Sequence, residues 1–295
     1  MILLDGKSLS KKIIIELSNE VKKYTLLKHR KPHLAAILVG DNPASKTYVS
    51  AKEKACSEIG FDSTIIHLSE DISQEDLINQ ISEINSNINI DGLIVQLPLP
   101  NHIHEFTVTN SISPKKDVDG FHPVNLGKMM LGIDSFLPAT PYGIISLIEE
   151  YKIETEGKNC LVIGRSNIVG RPISILMSKN AKFANSTVTL AHSRTKNIEK
   201  LTINADIIIV ALGKENFLKA DMVKNGVVVI DVGINRVKSD THKSGWRLVG
   251  DVDFEFVKSK SSFITPVPGG VGPMTIVSLL RNTLLAYKIN NKLNT

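Results

Sequence analysis

Tyr48 and Lys52 stand four residues apart in a stretch that reads as helix, so their side chains share one face. A ring beside an ammonium offers a platform and a proton source for a flat ligand. Pairs of this kind also decorate helix surfaces, and the spacing alone does not separate the two readings. Ala44, Ala51 and Ala55 keep the rest of this helix slim. Further on, Gln96 puts a polar side chain at the carboxyl end of an apolar strand that Pro98 and Pro100 terminate. In a parallel sheet that end faces the ligand. Lys115, Lys116, Asp117 and Asp119 then lead into Gly120. Asp-Gly is turn chemistry, which explains one of the two aspartates but not obviously both.

A second set of residues suits a dinucleotide. Gly164, Arg165, Ser166, Asn167, Ile168, Val169 and Gly170 lie between an apolar strand and a helix that Pro172 helps to open. Gly164 permits a tight turn and Gly170 a close approach of helix to strand. The free N–H groups of the helix end can hold a phosphate. The GxGxxG spacing is absent, and an ordinary strand-to-helix turn is the competing reading. The next strand, 187–191, ends on His192, Ser193, Arg194, Thr195 and Lys196, with no carboxylate. An NAD site places Asp or Glu there for the ribose 2′-hydroxyl. Hydroxyls and cations favour a 2′-phosphate, so NADP is expected over NAD. Arg165 and Ser193 are the stronger candidates, because Arg194 and Lys196 also read as solvated loop charges. Asp231, Val232, Gly233, Ile234 and Asn235 close another strand. A glycine there lets backbone approach a nicotinamide ring.

The run 266–273 holds three prolines and three glycines. Proline fixes φ and donates no hydrogen bond, and glycine leaves the backbone bare. The run is neither helix interior nor central strand. It reads as a kinked connection that a ligand can approach, between apolar Phe263 and Ile264 and a helix from Thr275.

These residues need a frame. Residues 8–27 form an amphipathic pattern with Leu9, Ile13, Leu17, Val21 and Tyr24 on one face. Strands at 34–39, 63–68 and 92–96 alternate with helices at 43–59 and 74–84. Residues 111–140 read as irregular and polar, and Pro141 opens a helix to about 151. Strands at 159–163, 187–191, 207–211, 227–231 and 263–264 follow, then a helix over 275–288. Residues 238–244 read as an exposed hairpin tip. Strand–helix alternation predicts an α/β chain with parallel sheets. Two domains are expected, one over 1–140 joined by the returning segment 275–295, the other over 141–274.

With 295 residues, 42% hydrophobic and 22% charged, the chain is ordinary for a globular protein. The net charge of +5 is spread along the chain without the basic stripe of a nucleic-acid binder. Cys56 and Cys160 lack metal-ligand or CxxC spacing and read as buried thiols of a reducing compartment. No apolar run reaches membrane length, and the early charges at Asp5 and Lys7 interrupt any signal-peptide pattern. No nucleic acid or membrane partner and a cytoplasmic location are expected. His102 and His104 have strand-compatible ligand spacing but no evident third ligand, so no metal is expected.

Taken in order, Tyr48 with Lys52, Gln96 to Pro100, Lys116 to Gly120, Gly164 to Gly170 and Pro266 to Pro273 closely resemble the bifunctional methylenetetrahydrofolate dehydrogenase/methenyltetrahydrofolate cyclohydrolase family. The resemblance spans essentially the whole chain. It implies a homodimer of two-domain subunits, NADP in the Rossmann-like second domain and a folate in a cleft between the domains. It implies oxidation of 5,10-methylenetetrahydrofolate, then hydrolysis to 10-formyltetrahydrofolate. Lys52 would handle protons in the hydrolysis, Gln96 would bond and tune it, Tyr48 would stack on the folate, and Asp119 would bond the pterin's amino edge. Val95, Leu97, Pro268, Gly269, Gly270, Val271 and Gly272 would line the substrate. Gly164, Arg165, Ser166, Ser193 and Ile234 would hold the cofactor. A dehydrogenase-only member, a shikimate-type NADP dehydrogenase and an NADP-binding sensor are the rival readings. The shikimate-type reading leaves the Tyr48, Lys52, Gln96 and Asp119 set unexplained.

Overall fold

The computed structural model describes residues 1–239 and 245–293. The chain divides into two compact units. One takes Met1–Ser10 and Thr140–Thr275, the other Lys11–Ala139 and Ile276–Thr295.

In chain order the first elements are β1 (Ile2–Leu3), α1 (Gly6–Leu26), β2 (His33–Val39), α2 (Pro43–Ile59), β3 (Asp62–Leu68), α3 (Gln74–Ser86) and β4 (Gly92–Val95). Next come α4 (Glu105–Ser111), α5 (Pro123–Leu131), α6 (Ala139–Glu150), β5 (Asn159–Ile163), α7 (Gly170–Ser178) and β6 (Thr187–Ala191). The series ends with α8 (Ile198–Asn204), β7 (Ile207–Val210), β8 (Val227–Asp231), β9 (Asn235–Lys238), β10 (Trp246–Val249), α9 (Phe254–Val257), β11 (Ser261–Ile264) and α10 (Val271–Asn290).

In the Lys11–Ala139 unit, β3, β2 and β4 form a parallel three-stranded sheet with β2 in the centre. Six of the seven β2 residues are buried, as a central parallel strand requires. The apolar faces of α3 and α4 close one side of it, with Leu77, Ile81, Ile84 and Val108 packed against Ala35, Ile37 and Leu93. Helix α2 is set at both ends by local chemistry. The Asn42 side chain accepts the N–H groups of Ala44 and Ser45, and Gly60 stops the helix in a left-handed conformation. Inside this unit the far part of α10 is anchored by Asn282, whose amide donates to the carbonyls of Val118 and Leu137, both at 2.8 Å.

The other unit holds a six-stranded sheet in the order β1-β11-β8-β7-β5-β6, every pair parallel. Strand order reverses at β5, with β6 on one side and β7 on the other, so the loops after β5 and β7 open a crevice at their carboxyl ends. Strands β9 and β10 form a separate antiparallel hairpin. The expected hairpin tip falls largely on residues 240–244, outside the described residues, while Ser239 N–H donates to the Gly245 carbonyl at its base.

Three local readings change. Residues 111–140 are not irregular throughout, because α5 lies within them. Pro123 suits its first turn, His122 Nδ1 accepts Val124 N–H, and Gly132 ends it at φ 73°. Helix α10 starts at Val271, so Gly272 and Pro273 form its first turn, where a missing N–H costs nothing. The first ten residues lie with the six-stranded sheet rather than with residues 11–139, because β1 pairs with β11.

Candidate active site

Lys52 lies on the inner face of α2 and is 8% exposed. Its Nζ donates to Gln96 Oε1 at 3.1 Å. Gln96 directly follows β4, and its N–H continues the sheet by donating to the Ile37 carbonyl. A strand end therefore brings an amide to a buried ammonium. Tyr48 sits one turn before Lys52 and is half-buried, which raises its hydroxyl above the ordinary tyrosine range.

Asp119 completes the group. Burial raises its carboxyl above the usual range, and the nearby Lys52 charge pulls it back down. The two aspartates of the Lys116–Gly120 segment have parted roles. Asp117 accepts the N–H groups of Phe121 and His122 and the Asn125 amide, and burial pushes it up to about 6. It builds the turn. Lys116 is likewise structural, donating to the carbonyls of Ile84 and Asn87. Gly120 has φ +74°, and a Cβ there would stand 2.6 Å from the main chain of Leu137 and Pro138. This packing, with Asn282 holding Val118, sets the position of Asp119. Asn282 escapes sequence reading because its partners lie 164 and 145 residues away.

Leu97 and Val95 contribute differently. Leu97 is half-buried, and its carbonyl accepts Gln96 Nε2 at 2.7 Å. The Val95 side chain is buried in the sheet core, so only its main chain is at the edge.

In the six-stranded unit, Gly164 has φ +122°, and a Cβ there would meet the Ala211 carbonyl oxygen at 2.2 Å. A Cβ on Gly170 would meet the Gly164 carbonyl oxygen at 1.9 Å. Both glycines are thus required by the backbone itself. Ser166 Oγ accepts the N–H groups of Val169 and Gly170, which braces the turn and leaves its hydroxyl hydrogen free to donate outward. Arg165 and Ser193 are exposed on the loops after β5 and β6, at the same sheet edge. Ile234, after β8, is 42% exposed at this sheet edge. A bare-backbone turn opening a helix, a cation and hydroxyls, without a carboxylate after β6, fit a dinucleotide carrying a 2′-phosphate.

The proline–glycine run also lies in this unit. Pro268 is exposed and Gly269 half-buried, whereas Gly270 and Val271 are buried. Gly270 is bare for an internal reason, since a Cβ would stand 2.6 Å from the Pro266 carbonyl oxygen and 2.7 Å from Thr265 Cβ. A Cβ on Gly272 would touch only Ile234 Cδ1, at 3.7 Å. Gly6 presses on the same loop, its Cβ position 1.9 Å from the Gly270 carbonyl oxygen.

Cys56 and Cys160 are free, and burial pushes both thiols up to about 12. Among the described residues no group of three or more His, Cys, Asp or Glu could hold a metal ion, and no helix is long and apolar enough to cross a membrane.

Two family models match the chain. Residues 4–119 match the tetrahydrofolate dehydrogenase/cyclohydrolase catalytic domain, and residues 138–291 its NAD(P)-binding domain. The bifunctional protein FolD of Flavobacterium johnsoniae is 58% identical over 294 residues, with all of both chains covered. The bifunctional methylenetetrahydrofolate dehydrogenase/cyclohydrolase from Campylobacter jejuni is 50% identical, with a TM-score of 0.92 over 99% of this chain and 100% of that one. The Trypanosoma brucei dehydrogenase-cyclohydrolase, solved with NADP and an inhibitor, is 34% identical, with a TM-score of 0.94 over 99% of each chain.

Proposed function

This chain belongs to the tetrahydrofolate dehydrogenase/cyclohydrolase family, and from that premise we propose which of its residues carry the family's two reactions. The chain oxidises 5,10-methylenetetrahydrofolate to the 5,10-methenyl form with NADP⁺, then hydrolyses that form to 10-formyltetrahydrofolate, within one-carbon metabolism. The observation that carries the assignment is the hydrogen bond from buried Lys52 to Gln96 at the end of β4, with the Asp119 carboxyl close enough to feel the lysine's charge.

Oxidation removes a hydride and leaves a cation shared by the two flanking nitrogens. No proton leaves in this step, so the protein's task is placement of the C–H bond. NADP⁺, when bound, accepts that hydride. Gly164 and Gly170 let the turn pack tightly enough to present its N–H groups to the phosphates, Arg165 and Ser193 would meet the 2′-phosphate, Ser166 would donate its free hydroxyl hydrogen, and exposed Ile234 would take the nicotinamide end.

Hydrolysis needs proton transfer. Water adds to the methenyl carbon and loses one proton, and as the C–N bond opens the remaining hydroxyl proton passes to the departing ring nitrogen, leaving the formyl group and one proton released overall. Lys52 is assigned to move that proton. Gln96 holds its Nζ through a neutral oxygen, which orients the lysine without neutralising it in an ion pair. Tyr48 supplies the ring on which the flat pterin stacks. Asp119 accepts the pterin's amino edge. Leu97 and the main chain of Val95, together with Pro268, Gly269, Gly270, Val271 and Gly272, are assigned to substrate contact on the family pattern. Residues 11–139 thus serve folate chemistry, and the six-stranded sheet binds NADP. A homodimer in the cytoplasm is part of the same reading, and sedimentation of the purified chain tests the dimer.

The test of the chemistry mixes the protein with methylenetetrahydrofolate and NADP⁺, following NADPH and methenyltetrahydrofolate absorbance together. NADPH formation without lasting methenyl accumulation marks both activities. Methenyl accumulation equal to NADPH would remove Lys52 from its role.

A further inference from the structure

Two buried aspartates outside these groups brace the carboxyl edge of the six-stranded sheet. Asp231 ends β8 at 3% exposure, and Asp251 follows β10 at 0%. Asp251 Oδ2 accepts the N–H groups of Leu212 at 2.7 Å and Gly213 at 2.9 Å. Its Oδ1 accepts Lys214 N–H at 2.8 Å and Asn235 Nδ2 at 2.9 Å. Asp231 in turn accepts the N–H groups of Gly233, Asp251 and Val252.

The glycines beside them complement this arrangement. A Cβ on Gly233 would lie 2.2 Å from the Asp251 carboxyl group, and one on Gly250 would lie 1.8 Å from Asp231 Oδ2. Each carboxylate fills the space that a glycine leaves. Three successive amides directed at one anion form a nest, and here the anion is the protein's own side chain. The loop after β7 therefore keeps those N–H groups away from any ligand and is held in one place. That loop begins at Ala211, whose carbonyl stands against Gly164. Through Asn235, the same carboxylate also holds the segment after β8 that carries Ile234.

We infer that Asp251 is a positioning residue for the dinucleotide: it ties the loops after β7 and β8 together and thereby fixes the backing of the Gly164 turn. The inference rests on the assignment of that turn to NADP.

Asp251→Asn keeps the side chain's size but sets an NH₂ group among N–H donors. The dissociation constant of NADPH, read by fluorescence titration, should rise about tenfold, the effect of one buried donor left without an acceptor. Hydrolysis of methenyltetrahydrofolate without added cofactor should stay within about twofold, well under the effect on binding. An unchanged dissociation constant in the folded variant overturns the inference. So does a parallel loss of NADPH binding and hydrolysis, because that marks a general structural role. If Asp251→Asn does not fold, Asn235→Ala decides: about a threefold rise supports the inference and no rise overturns it. Arg165→Ala separates the underlying reading. If that variant binds NADPH normally, the assignment of the Gly164 turn to NADP fails; if it binds weakly while Asp251→Asn binds normally, only the role of Asp251 is lost.

Discussion

Gln96 presents its carbonyl oxygen, not its nitrogen, to Lys52. The Nε2 group is committed to the Leu97 carbonyl at 2.7 Å, which leaves Oε1 to accept from Nζ at 3.1 Å. The strand that ends at Val95 thus determines which atom the lysine meets. A buried ammonium with one neutral acceptor is oriented, yet its proton is not locked against a carboxylate.

Lys52→Met should therefore separate the two reactions. Hydrolysis of the methenyl compound should fall by at least about a hundredfold, the usual contribution of a positioned proton-transfer group. Hydride transfer should keep much of its rate. Steady-state rates for each half-reaction check this, and survival of both unchanged would be the contrary result.

Gln96→Glu places a carboxylate where a neutral oxygen now faces Nζ. The new ion pair should hold the lysine proton and slow hydrolysis by about tenfold at neutral pH, as expected when an opposite charge shifts a pKa by about a unit. The expected mark is a displaced pH profile for hydrolysis, and a profile that keeps its position would count against it.

Arg165→Ala should raise the KM for NADP⁺ about tenfold or more, the scale of a charge-assisted contact, while affecting NAD⁺ far less. Initial rates with each cofactor provide the comparison. Equal losses would mean that the 2′-phosphate is not what Arg165 meets.

Burial lifts Asp231 to about 7, and the neighbouring Asp251 charge pushes the same way. The folded chain therefore binds this proton more tightly than the unfolded chain. The group's stabilising contribution is full below about 4 and is lost as pH rises through about 7. On this account the unfolding free energy should fall by on the order of 2 kcal/mol between pH 5 and 8. Urea titrations across that range should show the slope reduced in Asp231→Asn relative to the parent.

Two glycine substitutions should act in opposite directions. Gly127 lies exposed inside α5 with open space where a Cβ would be, so Gly127→Ala should stabilise the chain by about 0.5–1 kcal/mol. Gly170→Ala would drive a Cβ to 1.9 Å from the Gly164 carbonyl oxygen, and should cost folding and NADPH binding together. Thermal melts and fluorescence titration check both.

Apolar periodicity, helix caps and bare-backbone runs are local, and they were legible along the chain. Asn42-Pro43 and Gly60 bound α2, β2 is apolar enough to be a central strand, and the strand before Gly164 ends where the turn begins. The run of motifs from Tyr48 to Pro273 was enough to point to the family. Helix α5 was less legible because its core-facing residues, Asn125 and Met129, make a thin apolar signal, and its first turn depends on His122. The family resemblance singled out Asp119, but the turn-building role of Asp117 came only from the tertiary fold. The same residue type two positions apart becomes a turn builder where Asn125 and two N–H groups reach it, and a carboxyl within range of the Lys52 charge where they do not. The reasons for individual glycines also came from the fold, because Gly233 and Gly250 answer to aspartates on other loops. Sequence by itself determines what each segment can do alone. Which carboxylate is consumed by structure and which stays free depends on contacts between residues far apart in the chain.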